Sequence, residues 1–272
     1  SVSRKNIEKF KKEGIYKSKK LNIRSFKVYG DGALGSRGAV LKNPYCDDPH
    51  NYGILRTSAA DLKYYAKEIA EMGFQMNTHA IGDSTVSVLL NEYKKVLREI
   101  DDPRWRIEHS QVVDVNEFEL YNDKILPSIQ PTHATSDMYW AYDRLGSRIK
   151  GAYAFKDLLK SSNRVALGTD FPVEKVNPFH TFYSSVERKD LRGYPENGFQ
   201  MENSLSREET LKGMTIWGAY FNFEEHEKGS LEIGKRADFV VINQNIMEIE
   251  AELIPKTEVV YTFVDGELVY SK

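Results

Sequence analysis

Six histidines, at positions 50, 79, 109, 133, 180 and 226, are the residues of this 272-residue chain best suited to proton or metal chemistry near neutral pH. Three of them share a setting. His79 ends the run Phe74 to His79, His109 ends Trp105-Arg106-Ile107-Glu108-His109, and His133 follows Ile125 to Gln130 within Gln130-Pro131-Thr132-His133. A carboxylate, Asp170, follows a fourth run, Val165-Ala166-Leu167-Gly168. Each run is short and rich in β-branched, aromatic or other apolar residues, which predicts a strand. Imidazoles and a carboxylate at successive strand ends are the donors that Zn²⁺, Fe²⁺ or Mn²⁺ would use in a hydrolytic site. Any one of these histidines, taken alone, reads more plainly as a hydrogen-bonded structural residue; it is the series that points to a site. His50 and His226 lie in polar loops and read as surface. His180, just after Pro178, reads as packing or capping a helix start.

Neighbouring residues suit supporting work. Glu108 and Gln111 flank His109 and could orient an imidazole or a substrate, although strict strand alternation turns Glu108 away from the mouth. Asp83, four residues after His79, reads equally as a helix N-cap and as a site carboxylate. Tyr139, Trp140, Tyr142 and Phe171 could line a pocket for an apolar or aromatic group, or simply pack. The stretch Gly30-Asp31-Gly32-Ala33-Leu34-Gly35 has the G-x-G-x-x-G spacing of a dinucleotide-binding turn. Gly38 and Pro44 interrupt the place where the following helix must open, and no acidic residue ends a second strand at the right distance, so no dinucleotide is expected.

The elements that must position these residues alternate β and α. Ile23 to Tyr29 predicts a strand stopped by Gly30. Ser58 caps a helix with Leu62, Tyr65, Ile69 and Met72 at helical spacing, ended by Gly73. Asp83 opens a helix carrying Val86, Leu89, Leu90, Tyr93 and Leu97; further helices are predicted around Val115 to Tyr121 and Tyr153 to Leu159. Repeated β/α order predicts a parallel sheet with the strands of Phe26, Met76, Ile107, Ile129 and Leu167 side by side. In a β/α barrel the C-terminal strand ends face one mouth, however far apart they lie in sequence. Beyond Pro178 the texture changes to helices over His180 to Leu191 and Arg207 to Phe223. Alternating runs follow at Asp238 to Ile242, Val259 to Val264 and Glu267 to Tyr270, with Asp265-Gly266 as a hairpin turn. The expected division is a barrel domain over residues 1–225 and β-sandwich strands over 226–272.

Composition excludes several classes. Apolar residues are 40 % and charged residues 29 % of the chain, enough hydrophobic surface for a globular core. A net charge of −2 gives no field for polyphosphate, so no nucleic acid partner is expected. The single cysteine, Cys46, cannot form an internal disulfide, and no apolar run approaches the ~18 residues of a membrane span. No membrane association and a cytoplasmic location are expected. Residues 1–27 carry ten Lys or Arg against two Glu, and residues 224–272 eleven acids against five bases; both read as solvated surface. The start at Ser1, with no apolar block behind the first lysines, reads as a piece of a longer chain.

The series Lys27-Val28-Tyr29-Gly30-Asp31-Gly32, Thr78-His79-Ala80-Ile81-Gly82-Asp83, Glu108-His109-Ser110-Gln111, Gln130-Pro131-Thr132-His133 and Gly168-Thr169-Asp170 resembles the amidohydrolase superfamily. Within it, the likeness is to amidohydrolase family 3, the group that contains N-substituted formamide deformylases. Gly229 to Phe239 is similar to that superfamily's return from barrel to sandwich. The resemblance implies an α/β fold, a (β/α)8 TIM-type barrel with a small C-terminal β-sandwich, of which this chain would hold about strands four to eight. It implies a hydrolase of non-peptide C–N bonds that uses a divalent metal, zinc first among the candidates, and a small-molecule substrate. Lys27, once carboxylated, His79, His109 and Asp170 would be metal ligands; Asp170 would also be the catalytic base. His133, Gln111 and Asp83 would contact the substrate.

One feature of the family is absent. Its first strand ends in His-x-His, and no two histidines here are two residues apart. The chain is therefore expected to be a C-terminal half that is inactive alone, its open sheet side covered by another chain, a second copy or the missing N-terminal half, or by the helices of residues 180–223. Two other readings remain: a folded, non-catalytic barrel module, and a metal-free glycosidase-type pair of Glu108 and Asp170. The latter needs the carboxylates ~5 to 9.5 Å apart in one cleft.

Overall fold

The structure, a computed structural model, describes residues 2–272. In chain order it contains α1 (Arg4–Glu13), β1 (Tyr16–Lys17), β2 (Asn22–Ile23), β3 (Ser25–Tyr29), α2 (Ala59–Glu71), β4 (Gln75–Ala80), α3 (Asp83–Val96), β5 (Trp105–His109), β6 (Ile125–Ile129), α4 (Pro131–Asp137), α5 (Ala141–Leu145), α6 (Phe155–Ser162), β7 (Ala166–Leu167), α7 (Pro178–Glu187), α8 (Arg207–Met214), α9 (Ile216–Phe221), β8 (Phe239–Ile242), β9 (Val259–Val264) and β10 (Glu267–Ser271). The chain forms two compact units. One takes residues up to Ser128 together with Tyr139–Asn163, the other Ile129–Met138 together with Arg164–Lys272.

In the first unit β3, β4, β5 and β6 pair in parallel, in register Val28↔Thr78↔Ile107↔Pro127. The predicted strand order holds. Phe26, Val28, Met76 and Ile107 are buried on one face, with the inward stripes of α2 (Leu62, Ala66, Ile69) and α3 (Val86, Leu89, Leu90, Tyr93) also removed from solvent. Three phenyl rings, Phe10, Phe26 and Phe74, meet with centroids 5.3 to 6.0 Å apart and tie α1 to this layer. Trp105 stacks edge-on to Tyr93 at 4.8 Å, and its indole N–H donates to Phe74 O at 2.9 Å. The basic face of α1 is exposed, with Arg4 and Lys11 in ion pairs to Asp61 and Glu68 of α2.

In the second unit β7 joins the end of β6 through Gly168 N–H donating to Ile129 O at 3.0 Å, so the sheet has five strands in the order β3-β4-β5-β6-β7. The sheet is open, with no closed barrel among the described residues. Phe179, Phe182 and Tyr183 of α7 pack with Ile246 and Ile254 to form this unit's own core. The C-terminal strands form a single antiparallel sheet in the order β10-β9-β8. Asp265 and Gly266 both have positive φ, 53° and 82°, the geometry expected of the hairpin turn between β9 and β10.

Several local expectations change. The N-cap of α3 is Gly82; Asp83 is its first residue, and its carboxylate accepts the backbone N–H of Lys42 at 2.8 Å. Val115 to Tyr121 forms only a 3-10 turn, Phe118–Leu120. His180 does not cap α7: the Asn177 side chain accepts from Phe179 N–H, and Arg188 ends the helix in the left-handed region. The long helix read over Arg207 to Phe223 breaks at Thr215, where φ is −128° and ψ −95° and the hydroxyl donates back to Leu211 O at 2.6 Å. A capping box starts α8: Ser206 Oγ accepts Glu209 N–H, and Glu209 accepts Ser206 N–H. Ser206→Ala is expected to lower stability by ~1 kcal/mol, read as a shift of the denaturant midpoint. Among the described residues no helix is long and apolar enough to cross a membrane.

Candidate active site

The parallel register sets two polar rows on the sheet face opposite α2 and α3. Lys27, Asn77 and Arg106 form one row; Tyr29, His79, Glu108 and Ser128 form the next, toward the C-terminal ends. This corrects the orientation expected of Glu108, which lies on the same face as Lys27 and His79. His109 has the wrong parity for that face, because Ala80 is its register partner and it alternates with Glu108. Its ring nevertheless meets the His79 ring with centroids 4.5 Å apart, edge to face. Backbone conformation accounts for this. His109 and Ser110 have φ of 76° and 43°, so the chain leaves the strand in the left-handed region and swings the imidazole round. Such a conformation costs roughly 1–3 kcal/mol per residue and persists only where surrounding contacts hold it.

Asp31, which follows the glycine after β3, fastens the other side. Its carboxylate is buried and accepts three backbone N–H groups, from Val40 at 2.9 Å, Ile81 at 3.0 Å and Gly82 at 2.9 Å. The Lys27 ammonium lies 5.4 Å from the centre of the Tyr29 ring. His79 Nε2 sits 3.6 Å from Asp31 Oδ1, just beyond hydrogen-bonding distance. Burial pushes the Asp31 carboxyl up, against the three N–H donors that favour its charge. Gly30 after β3 and Gly82 at the N-cap of α3 both serve close backbone approach. A Cβ on Gly30 would come within 2.9 Å of His79 O, and one on Gly82 within 2.1 Å of Val40 O. No helix opens after Gly35 before α2.

Glu108 is held ionised. Burial opposes its charge, but the Arg106 guanidinium at 3.0 Å, then the Lys27 ammonium and the Ser128 hydroxyl, outweigh it and hold the carboxyl below its ordinary range. Gln111 is buried, and its side-chain N–H donates to Tyr153 OH at 3.1 Å. Asp83 is buried too, which pushes its carboxyl up. Trp140 packs: a Cβ on Gly35 would meet its ring at 3.2 Å, and Arg144 lies over it. Tyr139 and Tyr142 are exposed.

In the second unit, His133 lies in the first turn of α4 and is buried, which pushes its imidazole pKa down against the charges of Glu174 and Asp170. It is a neutral imidazole at pH 7, with one ring N–H and one lone pair. Asp170 leaves β7 at φ 55° and is exposed, with Phe171, Val173 and Val176 exposed beside it. Ser136 Oγ lies 2.6 Å from Glu174 Oε1 and pins this loop to α4. The sequence reading missed Asp31, Arg106, Ser136 and Glu174. Only Asp31 carried a signal, a short carboxylate between two glycines at a strand end.

The donor chemistry fits a divalent metal in part. His79 and His109 are two imidazoles with rings in contact at adjacent strand ends, a usual pair of ligands for such an ion. Among the described residues no group of three His, Cys, Asp or Glu side chains converges closely enough to hold one.

A family model described as "Amidohydrolase family" matches residues 2–270. The chain belongs to the amidohydrolase family. A Bacillus subtilis (strain 168) amidohydrolase-type protein, YtcJ, is 32 % identical over 91 % of this chain and 47 % of its own length. Protein LONG AFTER FAR-RED 3 of Arabidopsis thaliana is 31 % identical over 95 % of this chain and 45 % of its own. The N-substituted formamide deformylase of Arthrobacter pascens is 22 % identical over 79 % and 40 %. Among solved structures, an uncharacterized metal-dependent hydrolase from Pyrococcus horikoshii OT3 superposes with a TM-score of 0.78 at 27 % identity, over 91 % of this chain and 50 % of that one. This amidohydrolase chain spans about half the length of the curated relatives it matches.

Proposed function

We propose that this amidohydrolase chain is the C-terminal half of a metal-dependent hydrolase of non-peptide C–N bonds. The observation that carries the reading is the contact of the His79 and His109 rings, reached only because His109 takes a costly left-handed conformation. The five parallel strands would be strands four to eight of a (β/α)8 barrel within residues 1–225, and residues 226–272 part of a β-sandwich. His79 and His109 would hold a divalent ion, zinc first, with Lys27, as a carbamate, and Asp170 completing the ligand set. A bound ion would supply Lewis-acid polarisation of an amide carbonyl and water activated near neutral pH.

The chain's own residues do the rest. Asp170 takes a proton from the attacking water and returns it to the leaving nitrogen. His133, kept neutral by burial, offers a ring N–H to the substrate. Gln111 and Asp83 would contact the substrate. The arrangement is proposed to work in the cytoplasm, on a small molecule, with a second copy or the N-terminal half covering the open sheet. The formamide deformylase relative supports an N-substituted amide as the substrate class.

Equilibrium dialysis against Zn²⁺, with metal counted by mass spectrometry, tests the centre. Wild type is expected to bind one ion or more per chain, and His79→Ala/His109→Ala to lose at least ~10-fold in affinity. Equal binding by the two would overturn the assignment and favour a folded module without a metal centre.

A further inference from the structure

We propose that Tyr121 is a positioning residue for His109, acting through the Ser110 hydroxyl. The inference deepens the reading of His109 as a metal ligand and rests on it, although its first test does not need the metal.

The observation is a hydrogen-bonded relay closed inside the first unit. Tyr121 OH donates to Ser110 Oγ at 2.8 Å, and Ser110 Oγ donates to Ile107 O at 3.0 Å. Tyr121 is 1 % exposed and Ser110 0 %, so neither hydroxyl has water as an alternative. The relay therefore spans the turn formed by His109 and Ser110, from the strand carbonyl on one side to the 3-10 turn that delivers Tyr121 on the other. Two consecutive non-glycine residues at positive φ need such a brace, because the extended alternative is lower in energy and would return His109 to the face of Ile107. A phenylalanine would fill the same buried space without a hydroxyl to satisfy. The hydroxyl is therefore best explained by what it holds, and in a dry interior a paired O–H is costly to break. Loss of the relay lets the turn relax, and the His109 ring moves away from His79.

The test uses the full chain free of metal, with the imidazole nitrogens followed by proton–nitrogen correlation NMR. Tyr121→Phe is expected to shift or broaden the His109 and His79 ring signals while those of His50, His180 and His226 stay in place. Ser110→Gly is the second variant: glycine adopts φ of 43° without strain but has no hydroxyl, so a change there separates the hydrogen bond from backbone strain. It is expected to shift the same two rings. In zinc dialysis both variants should lose ~10- to 100-fold in affinity, the usual effect of removing a group that orients a ligand. If Tyr121→Phe, or Ser110→Gly should the first not fold, leaves the His109 ring signals unchanged, the proposal is overturned. Ring shifts in a protein that binds no zinc support the positioning role and overturn the metal reading alone.

Discussion

Asp170→Asn in the intact protein is expected to cut turnover of a confirmed substrate by ~10² to 10⁴, the range that a positioned general base contributes. Asparagine is the informative replacement. Asp170 leaves the strand at φ 55°, a region that Asn enters at least as readily as Asp, so the turn before Phe171 survives. The side chain keeps its shape and loses the ability to take a proton. Alanine would confound loss of the base with strain in the backbone. Circular dichroism should stay close to wild type and much of the metal content should be retained while kcat falls. Near-normal turnover on a confirmed substrate would remove Asp170 from the role of base.

The strand ends were legible because each strand is a short apolar run closed by a polar residue, and the β/α order left few topologies. What was not legible lies where the backbone departs from regular conformation or where partners are distant in sequence. Alternation from Ile107 to His109 places Glu108 on the far face only if His109 marks the near one, and the structure reverses this through the positive φ of His109. A non-glycine residue carries no sequence mark of that conformation. The three donors to Asp31 come from residues 40, 81 and 82, far beyond any local window. The break at Thr215 was hidden for another reason: an apolar period continues on both sides of it, and a hydroxyl bonded back to Leu211 is a weak local signal. The C-terminal strands were legible to within a residue or two, because Asp-Gly is the turn that a right-twisted hairpin demands.

Replacing Glu108 by Gln is expected to cost ~3 kcal/mol of folding stability at neutral pH, toward the lower end of what removing one partner of a buried ion pair costs. Glu108 and Arg106 lie 3.0 Å apart with side chains 15 % and 18 % exposed, so the guanidinium would lose its carboxylate in a place where water replaces it poorly. The pH dependence follows from the direction of the Glu108 shift. Its folded value is held below the ~4.3 of an unfolded glutamate, so its contribution is complete above that value and is lost as the pH falls through the folded one. The gap between the urea midpoints of wild type and Glu108→Gln, measured from pH 7 downward, should therefore narrow as the pH falls below ~4.3. A constant gap across that range would show that the variant acts through packing and not through charge. The same direction of shift bears on the glycosidase-type alternative. A general acid must carry a proton at working pH, as a carboxyl raised by an apolar site does, whereas Arg106 and Lys27 keep Glu108 ionised. Glu108 would have to serve as the nucleophile of such a pair, and its carboxylate already faces the Arg106 guanidinium, which lowers its nucleophilicity and leaves support of the His79 row as its work.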